Sequence, residues 1–169
     1  MSQKFYPLVV SDILKTTADC SVIEFDVPEE LDEQFDFNAG QYLTLKAIIN
    51  GEEVRRSYSL CSSPLDGSWK VAVKKIEDGR FSSFANDILK VGDTLEVMPP
   101  NGRFSRPISD TPKKYVAFAA GSGITPILSI MKAVLDQEPE SNFTLFYGNK
   151  NTGSIIFKEE IEGLKNKYL

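Results

Sequence analysis

The sequence predicts a small antiparallel β-barrel followed by the opening part of an α/β unit. Three observations carry this reading. Six short β-type runs separated by turn residues fill the chain up to residue 107. A stretch with two prolines, residues 106–114 (RPISDTPKK), then breaks the pattern. Beyond it come an apolar run, a glycine pair, a helical periodicity and a second apolar run. That β-α-β-α order implies parallel strands joined by right-handed crossovers and buried on both faces.

Each element has its own warrant. Residues 5–13 are rich in β-formers, and residues 21–26 set Val22, Phe25 and Val27 among polar neighbours. Residues 42–49, entered through Ala39 and Gly40, form a longer run that meets residues 54–60 across Asn50 and Gly51. Asn-Gly is a hairpin signal because both residues tolerate positive φ. Residues 69–75 and 94–98 complete the six, and closing them into a barrel removes the exposed edges. One helix interrupts them: Phe81, Phe84, Ala85, Ile88 and Leu89 recur at helical spacing, with Ser82 or Ser83 as N-cap. After the linker, residues 115–120 and 142–147 read as strands, and residues 126–135 and 155–164 as helices. The expected domains are 1–107 and 113–169. Two parallel strands fall short of the five or six in a doubly wound sheet. The second unit is therefore expected to be incomplete, because the chain is a fragment or because a partner supplies the rest of the domain.

Composition narrows the chemistry. At 169 residues, 41% hydrophobic and 25% charged, the chain has the material for a globular core. Its 19 Lys and Arg against 24 Asp and Glu leave a net charge of −5, which argues against nucleic acid as a partner. The absence of histidine removes imidazole-based triads and most zinc sites. Cys20 and Cys61 are too few for a four-thiolate iron–sulfur cluster and read as free, buried thiols, so no metal site is expected. No basic-then-apolar leader opens the chain, and no run reaches the ~20 apolar residues of a membrane span. A cytoplasmic, reducing location is the expectation, with no membrane partner.

Three segments could carry chemistry. At the end of the fourth strand, Arg56 and Tyr58 point to one face and Ser57 and Ser59 to the other. An arginine fork suits phosphate, a tyrosine ring suits a flat aromatic ligand, and a serine hydroxyl suits a heteroatom at the ring edge. The same four residues also make an ordinary amphipathic strand. Next, Asp78, Gly79, Arg80, Phe81, Ser82 and Ser83 open the lone helix, whose N-terminus offers unpaired N–H groups to an anion. Arg55, Arg56, Lys74, Lys75 and Arg80 gather cationic charge near these two motifs. Third, Gly121, Ser122, Gly123, Ile124, Thr125 and Pro126 lie between a strand and a helix, with Thr125 as candidate N-cap and Pro126 at the first helical position. This turn suits a nucleotide phosphate or is simply structural. Glu138 and Glu140 fall at the wrong end of the next strand to anchor a ribose, while its carboxyl end carries Gly148, Asn149, Lys150 and Asn151.

R-x-Y-S, then G-x-x-S opening a helix, then G-x-G-x-x-P, in that order, resemble the ferredoxin–NADP reductase superfamily, and residues 5–169 all find a place in its pattern. The loop of Pro100, Asn101, Gly102, Arg103 and Phe104 and the strand end at Phe146, Tyr147, Gly148 and Asn149 are family-like too. The helix KEEIEGLKNKY is most similar to reductase components of phenylacetate-degradation (phenylacetyl-CoA epoxidase) systems.

The resemblance implies a six-stranded flavin barrel packed against a nicotinamide-binding α/β domain. It puts Arg56 on the flavin phosphate and Tyr58 against the isoalloxazine or ribityl region. Ser59 falls near the N5 edge, so Tyr58 and Ser59 are the candidate catalytic residues. Ser57, Val73, Lys74 and Lys75 would border the flavin, and Gly79, Arg80, Phe81, Ser82 and Ser83 would hold its pyrophosphate. Thr125 would stand between flavin and nicotinamide. Gly121, Ser122, Gly123, Ile124, Thr125 and Pro126 would bind the dinucleotide, with Asn149 and Lys150 near its adenosine ribose. FAD rather than FMN follows from the resemblance alone. The implied activity passes reducing equivalents from NAD(P)H to FAD, and on to an iron–sulfur centre and an oxygenase. The rest of the nicotinamide domain and a four-cysteine [2Fe-2S] domain do not follow Leu169, so the cluster is expected only in a longer parent. Two rival readings stay open: a flavin module without competent NAD(P)H turnover, and a cofactor-free structural or interaction barrel.

Overall fold

Alternating burial builds the first six strands into one antiparallel sheet. In the computed structural model, residues 4–105 and 107–168 are described. Arg106, which starts the expected linker, and residues 1–3 and 169, at the ends of the expected domains, lie outside them. The strands are β1 (Tyr6–Thr17), β2 (Cys20–Asp26), β3 (Tyr42–Ile49), β4 (Glu52–Ser59), β5 (Trp69–Lys74) and β6 (Thr94–Asn101). They pair in the order β4-β3-β6-β1-β2-β5. Asn50 (φ 54°) and Gly51 (φ 80°) make the β3–β4 turn, so the Asn-Gly signal marks the hairpin it predicts. Leu8, Val10, Ile23, Leu43, Leu45, Val71, Val73 and Val97 point inward and are buried.

Two strands run longer than the sequence predicts. β1 continues to Thr17 because its polar end pairs with β2 through Thr17 and Cys20. β6 carries Pro99 and Pro100, yet reaches Asn101, because both fall at a register shift against β3 where no ladder N–H is needed. A short helix, α1 (Asp32–Phe35), follows a 3-10 turn at Glu29–Leu31 and has no sequence signature. Four residues are too few for periodicity to register. It buries Phe35, whose carbonyl accepts the Trp69 indole N–H at 2.8 Å.

The outer strands β4 and β5 meet only past Ser59, through the Leu60–Val71 bridge and the Cys61 N–H donated to the Lys70 carbonyl at 2.8 Å. Alongside them lies α2 (Arg80–Asp87), which packs on both strands and sinks Phe81 into the barrel core. The Asn86 amide ties it down by donating to the Val73 carbonyl at 2.9 Å.

The α/β unit consists of β7 (Lys114–Ala120), α3 (Ile124–Gln137), β8 (Asn142–Gly148) and α4 (Lys158–Tyr168), with β7 and β8 parallel. The apolar run of β7 is expected to be buried on both faces and is not. α3 packs on the two strands, while Val116, Phe118 and Phe146 are exposed, with the two phenylalanine rings stacked at 4.9 Å. α4 starts at Lys158 rather than at residue 155. Ile156 and Phe157 instead turn inward, Phe157 with a left-handed φ of 61°. The cap assignments also shift. Gly79 caps α2, and Ser82 lies inside the helix with Ser83 after it. A 3-10 turn at Gly121–Gly123 leads into α3, so Thr125 is its second residue and Pro126 its third.

The two units share a seam. Cys20, Val22, Cys61 and Ala72 from the barrel's outer face join Ile124, Leu128, Met131, Ile156 and Phe157 in one buried cluster. Burial pushes the Cys61 thiol up to about 12 and raises that of Cys20. Neither cysteine of the native chain is therefore expected to react with a thiol-specific disulfide reagent at pH 8 until denaturant is added, and a fast-reacting native thiol would contradict this seam. No helix among the described residues is long and apolar enough to cross a membrane.

Candidate functional site

A cavity of about 630 Å³ opens between β4, β5, the start of α2 and the start of α3. Residues 56–59 form one wall and Gly79, Arg80, Phe81 and Ser82 another. Ser122, Gly123, Thr125 and Pro126 form the third, with Lys74 at the rim. Three segments distant in the sequence thus face one hollow.

The fold explains why these side chains face the cavity. Arg56 sits opposite Leu45 in the β3–β4 ladder, on the face that carries the buried Val54 and Leu60. α2 stands beside this stretch of β4, and Arg56 is left exposed on the cavity wall. Tyr58 follows on the same face, half-buried, with its ring 5.7 Å from that of Phe81. Burial pushes its phenol up to about 12 against the opposing pull of the Arg56 charge, so it is a neutral hydroxyl at physiological pH. Ser57 shares a 2.9 Å hydrogen bond with Thr44 across the strands.

The charges are not equivalent. Lys74 lies 3.5 Å from Asp19, and Arg80 pairs with Glu52 at 2.7 Å while also donating to the Ile49 carbonyl. Arg56 donates only to the Arg55 carbonyl, at 2.7 Å, and among the described residues no carboxylate pairs with it. Beside it, no side chain caps α2, which leaves the N–H groups of its first turn open to a ligand. Gly79 is sterically required at this end. A Cβ there would meet the Ser82 hydroxyl at 2.2 Å and the Ile76 carbonyl at 3.0 Å. That hydroxyl braces the loop, accepting from the Ile76 N–H and donating to the Gly79 carbonyl. The result is an anion-binding pole next to an aromatic ring and two serine hydroxyls, which suits a phosphorylated cofactor with a flat ring. These residues fit a flavin nucleotide.

Seven candidate residues do not line the cavity. Val73 points into the barrel, and its carbonyl is taken by Asn86. Lys75 pairs with Asp87 at 2.5 Å, and Ser83 bonds back to Gly79. Gly121 accepts from the Tyr147 hydroxyl, and Ile124 is buried in the seam. Asn149 and Lys150 stand past the end of β8. The Asn149 amide is buried next to the Tyr147 hydroxyl and lines no part of the cavity. The cavity also takes in Ile76, Glu77 and Asp78. The sequence reading overlooks Ala72, Ile76 and Glu77, which also line it. The signal available in the sequence is the Asp78-Gly79 pair, a dipeptide that favours a left-handed turn, and Asp78 adopts a φ of 55° with Ile76 and Glu77 exposed beside it.

Comparison with known proteins shows which domains the two units resemble. Residues 7–105 match the oxidoreductase FAD-binding domain, and residues 118–169 match the oxidoreductase NAD-binding domain. The chain is 48% identical over 165 residues to a subunit of 1,2-phenylacetyl-CoA epoxidase from Escherichia coli (strain K12), covering 97% of this chain and 46% of that protein. It is 42% identical over 167 residues to the ferredoxin reductase component of 3-ketosteroid-9-alpha-monooxygenase from Rhodococcus rhodochrous, covering 95% and 46%. The chain thus spans about half the length of the curated relatives it matches. Phthalate dioxygenase reductase, whose structure is described as modular for electron transfer from pyridine nucleotides to [2Fe-2S], superposes with a TM-score of 0.75 at 30% identity, over 93% of this chain and 47% of that one. The flavohem-like FAD/NAD binding domain of nitric oxide dioxygenase from Vibrio cholerae O1 biovar El Tor shares the fold, with a TM-score of 0.81 at 23% identity over 96% and 70%. The first domain match alone spans more than half of the chain, and the chain belongs to the ferredoxin–NADP reductase family of oxidoreductases, which joins an FAD-binding to an NAD-binding domain.

Proposed function

We propose that this chain is the flavin-holding part of an electron-transfer reductase and that the cavity described above is its FAD site. The observation that carries the reading is the uncompensated Arg56 guanidinium beside the uncapped start of α2, on one cavity with Tyr58 and Ser59. Arg56 would take a flavin phosphate through its fork, and the α2 N-terminus the rest of the pyrophosphate. Tyr58 would lie along the ring or ribityl chain, and Ser59 would offer its hydroxyl at the ring edge. Ser122, Gly123, Thr125 and Pro126 would border the nicotinamide side, with Asn149 and Lys150 toward the adenosine end of NAD(P)H. Bound FAD supplies the redox chemistry, accepting reducing equivalents from NAD(P)H and releasing them to a one-electron acceptor. The protein's share is binding and orientation, which needs no imidazole, in agreement with a chain that has none.

The acceptor we propose is an iron–sulfur centre, carried in a longer parent or a partner and serving an oxygenase. Its setting would be phenylacetate-type aromatic degradation in a reducing, cytoplasmic compartment. Similarity to the epoxidase and ketosteroid monooxygenase components supports the oxygenase link. We divide the chain into a flavin domain, 1–107, and the first half of a nicotinamide domain, 113–169. The exposed Phe118 and Phe146 favour a second reading, in which the chain binds flavin but turns NAD(P)H over poorly. Mixing the chain with FAD, removing free nucleotide and adding NADH or NADPH without oxygen separates these. Retained yellow colour that bleaches rapidly supports the full reading, yellow that persists supports the second, and colourless protein contradicts both.

A further inference from the structure

We infer that Lys132 is a positioning residue that fixes the angle between the barrel and the α/β unit, and through it the width of the cofactor cavity. Lys132 lies on α3 at the seam, its side chain only 14% exposed. Its ammonium is 2.5 Å from Glu160 of α4 and 3.6 Å from Asp66 of the barrel, and it reaches the Cys61 carbonyl at 3.5 Å. One turn earlier, the buried Ser129 hydroxyl donates to the Ser62 carbonyl at 2.7 Å.

What these contacts hold matters more than their number. Residues 61–66 continue directly from the Arg56–Tyr58–Ser59 wall, while α3 continues directly from the Ser122–Gly123–Thr125 wall. Lys132 therefore ties together the strand end and the helix whose other parts face each other across the cavity. Thr125 and Lys132 are seven residues apart on one helix, about 10 Å, so a tilt at the lysine is carried rigidly to the cavity wall. Asp66 is itself fixed, its carboxylate accepting the Ser63 N–H at 2.8 Å. Without the ammonium, Asp66 and Glu160 would be left as two acids facing one seam, and the pairing would become repulsion. Burial works against the lysine's charge, yet Glu160 and Asp66 outweigh it and hold Lys132 above the ordinary lysine value. A second hollow of about 600 Å³, sharing no lining residue with the first, opens beside the lysine.

The inference rests on the FAD reading for its consequence but not for its test. Spin labels at Ile88→Cys on the barrel and Thr144→Cys on β8 are both exposed, and the native thiols are buried. Pulsed EPR should give a narrow distance distribution in the parent and a roughly twofold broader one in Lys132→Met, because units joined by a weak seam move by default. Lys132→Arg, which keeps charge and reach, should restore the narrow distribution, and Glu160→Gln should fall between. Equal widths in the parent and Lys132→Met would overturn the inference, as would an arginine variant as broad as the methionine one. FAD titration of the parent runs alongside. Failure to bind FAD would defeat the functional reading and leave the distance result to decide the role of Lys132.

Discussion

Replacing Arg56 with alanine is expected to lower the affinity of this chain for FAD by about ten- to a hundredfold. A charge-assisted hydrogen bond is worth roughly 1.5–3 kcal/mol, and each 1.4 kcal/mol is a factor of ten. Of the cavity cations, Lys74 and Arg80 already have carboxylate partners, whereas Arg56 has none among the described residues. Its charge is therefore the one a phosphate would neutralise. Because the side chain is exposed, water screens it and the lower part of the range is the better expectation. Arg56→Lys should recover part of the loss, since it keeps the charge and gives up the two-pronged geometry. Quenching of flavin fluorescence on titration reads all three proteins, and equal affinities would remove Arg56 from the site.

Replacing Gly40 with alanine is expected to cost about 3 kcal/mol of stability or more, seen as a fall of roughly 6–12 °C in the thermal midpoint. Gly40 has a φ of +95°, and a Cβ there would sit 1.8 Å from the Phe104 carbonyl oxygen and 3.0 Å from Ile130. A backbone oxygen cannot swing aside as a side chain can. The loop after β6 would have to move away from the entrance to β3. A midpoint within about 2 °C of the parent would show that this close approach is not maintained in solution.

Much of the barrel was legible in the sequence, for a physical reason. Its strands are half-exposed and antiparallel, so Leu43 and Leu45 alternate with polar residues and Asn50-Gly51 prescribes the turn between β3 and β4. α1 was not legible, because Phe35 is buried by tertiary contact rather than by any helical repeat. The cap of α2 was misplaced because a serine in the first turn looks the same in sequence whether it caps or, like Ser82, braces the preceding loop. The burial of β7 was overestimated because an apolar run reports a preference and says nothing of what covers it, and here Val116 and Phe118 are bare. In the site, the three segments could be read because each carries its own local chemistry. The engagement of Lys75 by Asp87 and the two carboxylates on Lys132 could not, since they depend on residues that only the fold brings near.

The central claim is that residues 56–59, the start of α2 and the turn before α3 form one flavin-binding cavity. The direct measurement is the set of backbone amide shifts in a nuclear magnetic resonance titration of this 18.8 kDa chain with FAD. The account predicts that the largest changes fall together on Arg56, Ser57, Tyr58, Gly79, Arg80, Ser82, Ser122 and Gly123, and saturate with a single affinity. Shifts centred instead on the Lys15 and Lys70 side of the seam, or no shifts at saturating FAD, would contradict it.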